Sequence, residues 1–255
     1  MTTSSPALLS IIQYHDALGA GTMRLVDLVE TARRLDAGGV EFRPDYWRDK
    51  EAEIAAVRQA SAAHGLTALY ATMATLFNDD AAGEARLRQD TDDAAALGSP
   101  LLRVFLGNAP DDTNDPAWAR AREAIDYAAG RGLVGALENF ARAPGNRVGE
   151  IGRVLEAIDT PALGTNVDIG NYAINDEDVA AAVRRFGGRV VMSHLKDVTP
   201  TGATFLGGGN LPLAAILDAF DQLPQPIIHC FEFEGGDDPD GRIAKSLAYL
   251  RERAG

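Results

Sequence analysis

Eight short apolar runs, each followed by a longer amphipathic stretch, leave this chain few ways to fold. The runs are 7–14 (ALLSIIQY), 39–43 (GVEFR), 67–73 (TALYATM), 101–106 (LLRVFL), 133–139 (LVGALEN), 163–168 (LGTNVD), 190–196 (VVMSHLK) and 226–233 (PIIHCFEF). Their length and β-branched content fit buried strands. Between them, 23–37 places Leu25, Leu28, Val29, Ala32 and Leu35 on one face, the spacing of a helix packed on a sheet. The same pattern recurs at 50–64, 83–97, 116–130, 147–158, 176–186, 211–221 and 240–253. Strand–helix alternation predicts parallel β-α units. Eight units in 255 residues predict a closed (β/α)8 TIM barrel, α/β in class, as a single domain over 1–255. GAGTM at 19–23 lacks the third glycine of a dinucleotide fingerprint and reads as a turn before a helix.

In such a barrel the active site lies at the C-terminal ends of the strands, so polar residues late in a strand carry the functional signal. Glu41 and Arg43 end the second run, Glu138 and Asn139 the fifth, Asp168 the sixth, His194 and Lys196 the seventh, and Glu232 and Glu234 the eighth. Charged groups inside apolar strands are unfavourable unless paired or bound to a metal. Each alone also fits a rim salt bridge. Together, Glu138, Asp168, His194 and Glu232 offer three carboxylates and one imidazole from neighbouring strands. That donor set suits an octahedral divalent ion such as Mn²⁺, Mg²⁺ or Co²⁺, with Zn²⁺ also compatible. Residues two apart in a strand share a face, so spacing alone does not choose between Glu232 and Glu234.

Composition removes several function classes. Lys+Arg number 24 against 37 Asp+Glu, a formal net charge of -13. Nucleic-acid binding draws on cations that displace counterions from phosphate, so no nucleic-acid partner is expected. No apolar run approaches the roughly 18 to 20 residues that span a bilayer. The opening MTTSSPALLSIIQYH has no basic residue before its apolar run, which argues against a secretory leader, and Cys230 has no partner for a disulfide. A cytoplasmic location is the expectation.

ALENF (136–140), NVDIGN (166–171), SHLKD (193–197), FLGGGNLPL (205–213) and CFEFEGG (230–236) resemble, in order, the signatures of the xylose-isomerase-like barrel superfamily. GGVEFRP (38–44) and LLRVFLG (101–107) resemble its second- and fourth-strand segments. The resemblance covers nearly the whole chain. It implies Glu138, Asp168, His194 and Glu232 as metal ligands, favours Glu232 over Glu234, and implies Glu138 and Glu232 as an acid/base pair. The implied activity is a sugar isomerase or epimerase, such as a ketose 3-epimerase. Implied partners are a small carbohydrate or keto-acid substrate and further copies of the chain in a homo-oligomer.

Two departures from the family pattern bear on function. Many epimerase-like members carry a histidine where this chain has Asn171, so a substrate contact differs. The related endonuclease branch needs many histidines for a three-zinc site, and this chain has four in all, His15, His64, His194 and His229.

Isomerisation or C3 epimerisation requires loss of a proton beside a carbonyl. A divalent ion would stabilise the enediolate while one glutamate takes the proton and another returns it. Lys196 and Arg43 are placed to bind substrate oxygens, or else to pair with Asp197 and Glu41. His15, Arg103, Asn171 and Glu41 are further candidate substrate contacts. The consecutive glycines of FLGGGNLPL leave backbone amides open to an anion, or serve as a flexible cover. Trp47 is a candidate stacking surface or a packing residue. One alternative is a lyase or dehydratase acting on a keto-sugar, keto-glycoside or dehydroshikimate-like substrate; a more distant one is a non-catalytic sugar-binding barrel.

Overall fold

The computed structural model describes residues 6–78 and 80–254; residues 1–5, on which part of the leader reading falls, lie outside them. Seven strands precede a hairpin: β1 Leu8–Ser10, β2 Gly39–Phe42, β3 Thr67–Phe77, β4 Leu101–Gly107, β5 Val134–Glu138, β6 Leu163–Asp168 and β7 Val190–Leu195. The hairpin is β8 Asp197–Thr199 with β9 Gly202–Thr204, and the last strand is β10 Ile228–Phe231. β1 to β7 and β10 form a closed, wholly parallel barrel in the order β1-β10-β7-β6-β5-β4-β3-β2. The fold is the (β/α)8 TIM barrel.

Outside it lie α1 His15–Gly19, α2 Asp27–Leu35, α3 Lys50–His64, α4 Ala81–Leu97, α5 Pro116–Gly130, α6 Val148–Ala157, α7 Ile169–Ile174, α8 Val179–Phe186, α9 Leu213–Asp221 and α10 Pro239–Ala254. Aspartates start many of them: Asp49, Asp80, Asp115 and Asp178 accept from the backbone N–H of Ala52, Gly83, Ala117 and Ala181. Each satisfies an otherwise unpaired donor of a first helical turn. Part of the acid excess is therefore structural punctuation.

Two apolar layers hold the fold. A large layer joins the outer strand faces to the helices and includes Trp118, fully buried on α5 with Phe77 edge-on at 4.9 Å. A smaller plug of Leu8, Leu69, Leu101, Ala136, Met192 and Cys230 fills the lower barrel. Above the plug the same inward positions turn polar: Ser10, Glu41, Arg103, Glu138, Asn166, His194 and Glu232 are all buried. Burying so many ionisable groups is tolerated only where they answer one another.

The chain departs from its periodicity in places. The first apolar run is strand only to Ser10. There the Ser10 hydroxyl and Gln13 amide form a reciprocal cap that turns 11–14 into a 3₁₀ helix. The run 226–233 is strand only over Ile228–Phe231. The helix expected at 23–37 is confined to Asp27–Leu35, and that at 176–186 starts at Val179 after the separate α7. Apolar pattern marks burial, and local hydrogen bonds decide where a strand stops.

Candidate active site

His194, at the end of β7, is fully buried on the barrel axis. Its Nε2 lies 2.6 Å from Glu41 Oε2, across from β2. Its Nδ1 faces three carboxylate oxygens, Glu138 Oε2, Asp168 Oδ2 and Glu232 Oε2, each at 3.5 Å, and has no hydrogen-bond partner. One oxygen from each carboxylate and this nitrogen lie within 4.8 Å of one another. A hydrogen bond at Nε2 leaves Nδ1 free as a ligand atom, the arrangement in which a carboxylate orients a metal-binding imidazole. Three oxygen donors around an unpartnered buried nitrogen fit a divalent cation.

Each carboxylate is held by its own element. Asp168 closes β6 and opens α7, where Oδ1 accepts from the Asn171 N–H at 2.9 Å. Asn139 grips the same residue from β5's end: its Oδ1 accepts from the Asp168 N–H at 2.9 Å, and its Nδ2 donates to the Asp168 carbonyl at 3.0 Å. Glu138 Oε2 lies 2.8 Å from Arg103 Nε and 3.4 Å from Asn166 Nδ2. Glu232 accepts from Arg43 through Oε1 and from Lys196 Nζ at 2.7 Å through Oε2. Lys196 Nζ is also 2.7 Å from Asp168 Oδ2. Gly170 makes room for this lysine, since a Cβ there would lie 2.6 Å from its Cγ.

Electrostatics follow from this packing. Burial opposes charge on His194, but the carboxylates of Glu232, Glu41 and Glu138 outweigh it and hold the imidazole pKa well above its ordinary value. Burial likewise opposes ionisation of Glu232 and Glu41. Cationic His194, Lys196 and Arg43 carry Glu232 well below the carboxylate range, and His194 with Arg43 brings Glu41 to about 2. For Asp168 burial prevails over Lys196, and its pKa is raised. Without a bound cation, the carboxylates are answered by Arg43, Arg103, Lys196 and His194.

The expected substrate contacts divide. Arg43 and Lys196 touch the cage. Lys196 pairs with Asp168 and Glu232 and not with Asp197, because Asp197 turns to three backbone amides: Val198 at 2.8 Å, Gly209 at 2.8 Å and Leu211 at 3.0 Å. Those bonds tie the glycine loop to a resident carboxylate, so two amides of the expected anion cradle are already taken. Glu41 and Arg103 are fully buried and pair with His194 and Glu138. Asn171 keeps an unpartnered buried Nδ2. His15 stands on the rim, half-buried, its Nδ1 3.2 Å from the exposed Glu234. Glu232 and Glu234 thus part company because β10 ends at Phe231 and strand alternation no longer applies. Trp47 packs near Phe42 and donates to the Arg43 carbonyl, a packing role. Asn166 escaped the sequence reading: it lies mid-run and carries no charge.

Residues 29–253 match the family described as xylose isomerase-like TIM barrel. The chain belongs to that family. Among solved structures, xylose isomerase-like relatives cover almost all of it. D-allulose 3-epimerase from Methylomonas sp. is 21% identical over 98% of each chain, with a TM-score of 0.75. The probable 3-DHS dehydratase AsbF from Bacillus anthracis is 14% identical over 97% of this chain and 99% of its own, at 0.76. A xylose isomerase-like TIM barrel protein from Mycobacterium smegmatis in complex with magnesium is 17% identical over 98% and 96%, at 0.71. At such identities these similarities establish the fold. A search of curated proteins found no significant match. No described helix is long and apolar enough to cross a membrane.

Proposed function

We propose that this xylose isomerase-like chain is a divalent-metal-dependent sugar isomerase or epimerase that works by removing a proton from the carbon beside a carbonyl. The observation that carries the reading is the convergence of Glu138, Asp168 and Glu232 on the unpartnered Nδ1 of His194. These four residues would hold the ion, Mn²⁺, Mg²⁺ or Co²⁺, with Zn²⁺ also compatible. When bound, it supplies Lewis-acid polarisation of a substrate carbonyl.

The protein supplies the rest. Glu138 and Glu232 reach the centre from β5 and from just beyond β10, so they address a reacting carbon from two directions. One accepts the proton and the other returns it. The cations beside both keep them ionised at rest, the form a base needs, so either can take the proton, and the one that returns it must first pick one up from water or a substrate hydroxyl. Lys196 and Arg43 are placed to take substrate oxygens, and Asn171 offers a free amide donor. Phe105, stacked on Phe140 at 5.2 Å, raises an apolar wall above Arg103 and limits water. A small carbohydrate or keto acid fits this mixture of ionic floor and aromatic wall.

The second reading is a lyase or dehydratase using the same proton abstraction. Lys196 supports it: an ammonium 2.7 Å from two of the carboxylates can assist departure of an oxygen leaving group. The 3-DHS dehydratase among the structural neighbours shares the fold.

Incubating the Mn²⁺-supplemented protein with ketoses, keto-glycosides and cyclic keto acids in heavy water, followed by mass spectrometry, separates the two. Epimerisation gains deuterium and keeps the carbon skeleton's composition, whereas dehydration loses water. Glu138→Gln and Glu232→Gln should each slow exchange by about 10² to 10⁴ with the fold retained. Exchange at the parent rate in both variants would end the acid/base assignment.

A further inference from the structure

Behind the barrel wall lies a second group of buried polar side chains that the proposed chemistry does not use. Asp90 and Asp93 of α4 are 3% and 7% exposed and face β3. The Thr72 hydroxyl donates to Asp90 Oδ2, the Tyr70 hydroxyl lies 3.4 Å from Asp90 and 3.5 Å from Asp93, and Lys50 of α3 pairs with Asp93. Two carboxylates between a helix and a sheet are an unfavourable use of an interface that leucines would fill, so a geometric requirement must offset them.

That requirement is visible in the register of β3. Ala71 pairs with Arg103 and Thr75 with Phe105, so four residue steps of β3 oppose two of β4. The surplus forms a bulge: the Ala74 N–H donates to the Thr72 hydroxyl at 2.9 Å, and Met73 is pushed out to 44% exposure. Bulges re-aim the groups around them. Here the Thr72 carbonyl, outside the paired register, accepts from Arg103 Nη1 at 2.8 Å. The same guanidinium places Nε 2.8 Å from Glu138 Oε2.

We propose that Asp90 and Thr72 are positioning residues for Glu138: Asp90 pins the β3 bulge through the Thr72 hydroxyl, and the bulge presents the carbonyl that holds Arg103 on the Glu138 carboxylate. Its functional weight rests on the reading of Glu138 as a metal ligand and proton-transfer group. Asp90 belongs to the helical layer and touches no group of the cage, yet it sets the orientation of one of the two glutamates.

The test uses the full chain with Thr72→Val, which keeps the side chain's shape and removes its hydroxyl, and Thr72→Ser, which restores the hydroxyl. Two quantities are read: hydrogen exchange of the Arg103 Nη1–H, which the Thr72 carbonyl accepts, by ¹H–¹⁵N NMR in the metal-free protein, and the Kd for Mn²⁺ by titration calorimetry. Thr72→Val should speed the exchange at least about tenfold and weaken Mn²⁺ by about 10- to 100-fold, the usual cost of losing a group that orients a ligand, while Thr72→Ser stays near the parent in both. Where Thr72→Val does not accumulate as folded protein, Asp90→Ala gives the same readings. A variant that melts earlier but keeps parental Arg103 exchange and parental Mn²⁺ affinity would overturn the proposal, since a purely structural bulge moves only the melting point. If the parent chain binds no Mn²⁺, the metal reading falls and the Arg103 exchange still decides the positioning.

Discussion

Glu41 sits beneath the imidazole of His194 and accepts from it at 2.6 Å, with Ser10 Oγ and Arg43 Nε answering its other oxygen at 3.3 and 3.6 Å. A neutral amide at this position still accepts a hydrogen bond but gives up the charge that raises the basicity of the ring. Glu41→Gln should therefore weaken Mn²⁺ binding by about 10- to 100-fold while leaving the secondary structure intact, as calorimetry and circular dichroism would record. His229, on the outer face of β10, is a different case. Ser193 Oγ lies 2.6 Å from its Nδ1, Phe220 meets the ring edge-on, and burial brings its pKa down to about 4. Its folded pKa lies below the ordinary value of 6.5, so the unfolded chain binds the extra proton and stability falls as pH drops from about 6.5 through about 4. The loss is on the order of 1–3 kcal/mol, the lower end reflecting the part of the ring that solvent reaches. His229→Gln should flatten that stretch of the urea-denaturation profile; an unchanged pH dependence would assign the acid sensitivity to other groups.

Elements were legible in the sequence wherever burial set the residue pattern. The runs at 101–106 and 163–168 are strands almost to the residue, because both faces of a parallel strand in a barrel are covered and every residue is buried, the polar Arg103, Thr165, Asn166 and Asp168 included. Strand ends marked the candidate site for a related reason: Glu138, Asp168 and His194 are ionisable groups at the ends of buried strands, where such a group needs an answer, and the structure brings them together. What stayed hidden depends on partners far apart in the chain. Neither the pairing of Glu41 with His194, 153 residues away, nor the β3 surplus set against β4 leaves a local mark. The short hairpin of β8 and β9 was also invisible, since its three-residue strands are too short to carry a pattern and it is anchored by Asp197. Removing that anchor tests it. Asp197→Ala leaves three backbone donors unanswered; at about 1–3 kcal/mol for each charge-assisted bond, partly recovered by water, a net loss of about 2–4 kcal/mol in stability is expected. Amide hydrogen exchange at Gly209 and Leu211 should accelerate in step, whereas protection equal to the parent's would show that other contacts hold the loop.

At the scale of the molecule, the polar cage rests on an apolar plug and is ringed by an apolar layer between barrel and helices. The four carboxylates there, Glu41, Glu138, Asp168 and Glu232, face Arg43, Arg103, Lys196 and His194, so the barrel is expected to fold without a metal, unlike small domains whose core is the ion. A bound cation should act as a ligand of the folded state alone. With Mn²⁺ at about a hundred times its Kd, the gain is about 2.7 kcal/mol, or a rise in Tm of about 5–10 °C for a chain of this length, reversed by a chelator. A Tm indifferent to Mn²⁺ and chelator alike would argue against a site in the cage. The glycine loop beside it has already chosen its guest. By seating Asp197 against the amides of Gly209 and Leu211, the protein answers those donors from within. An incoming anion would have to displace a carboxylate already in place before the loop could hold it.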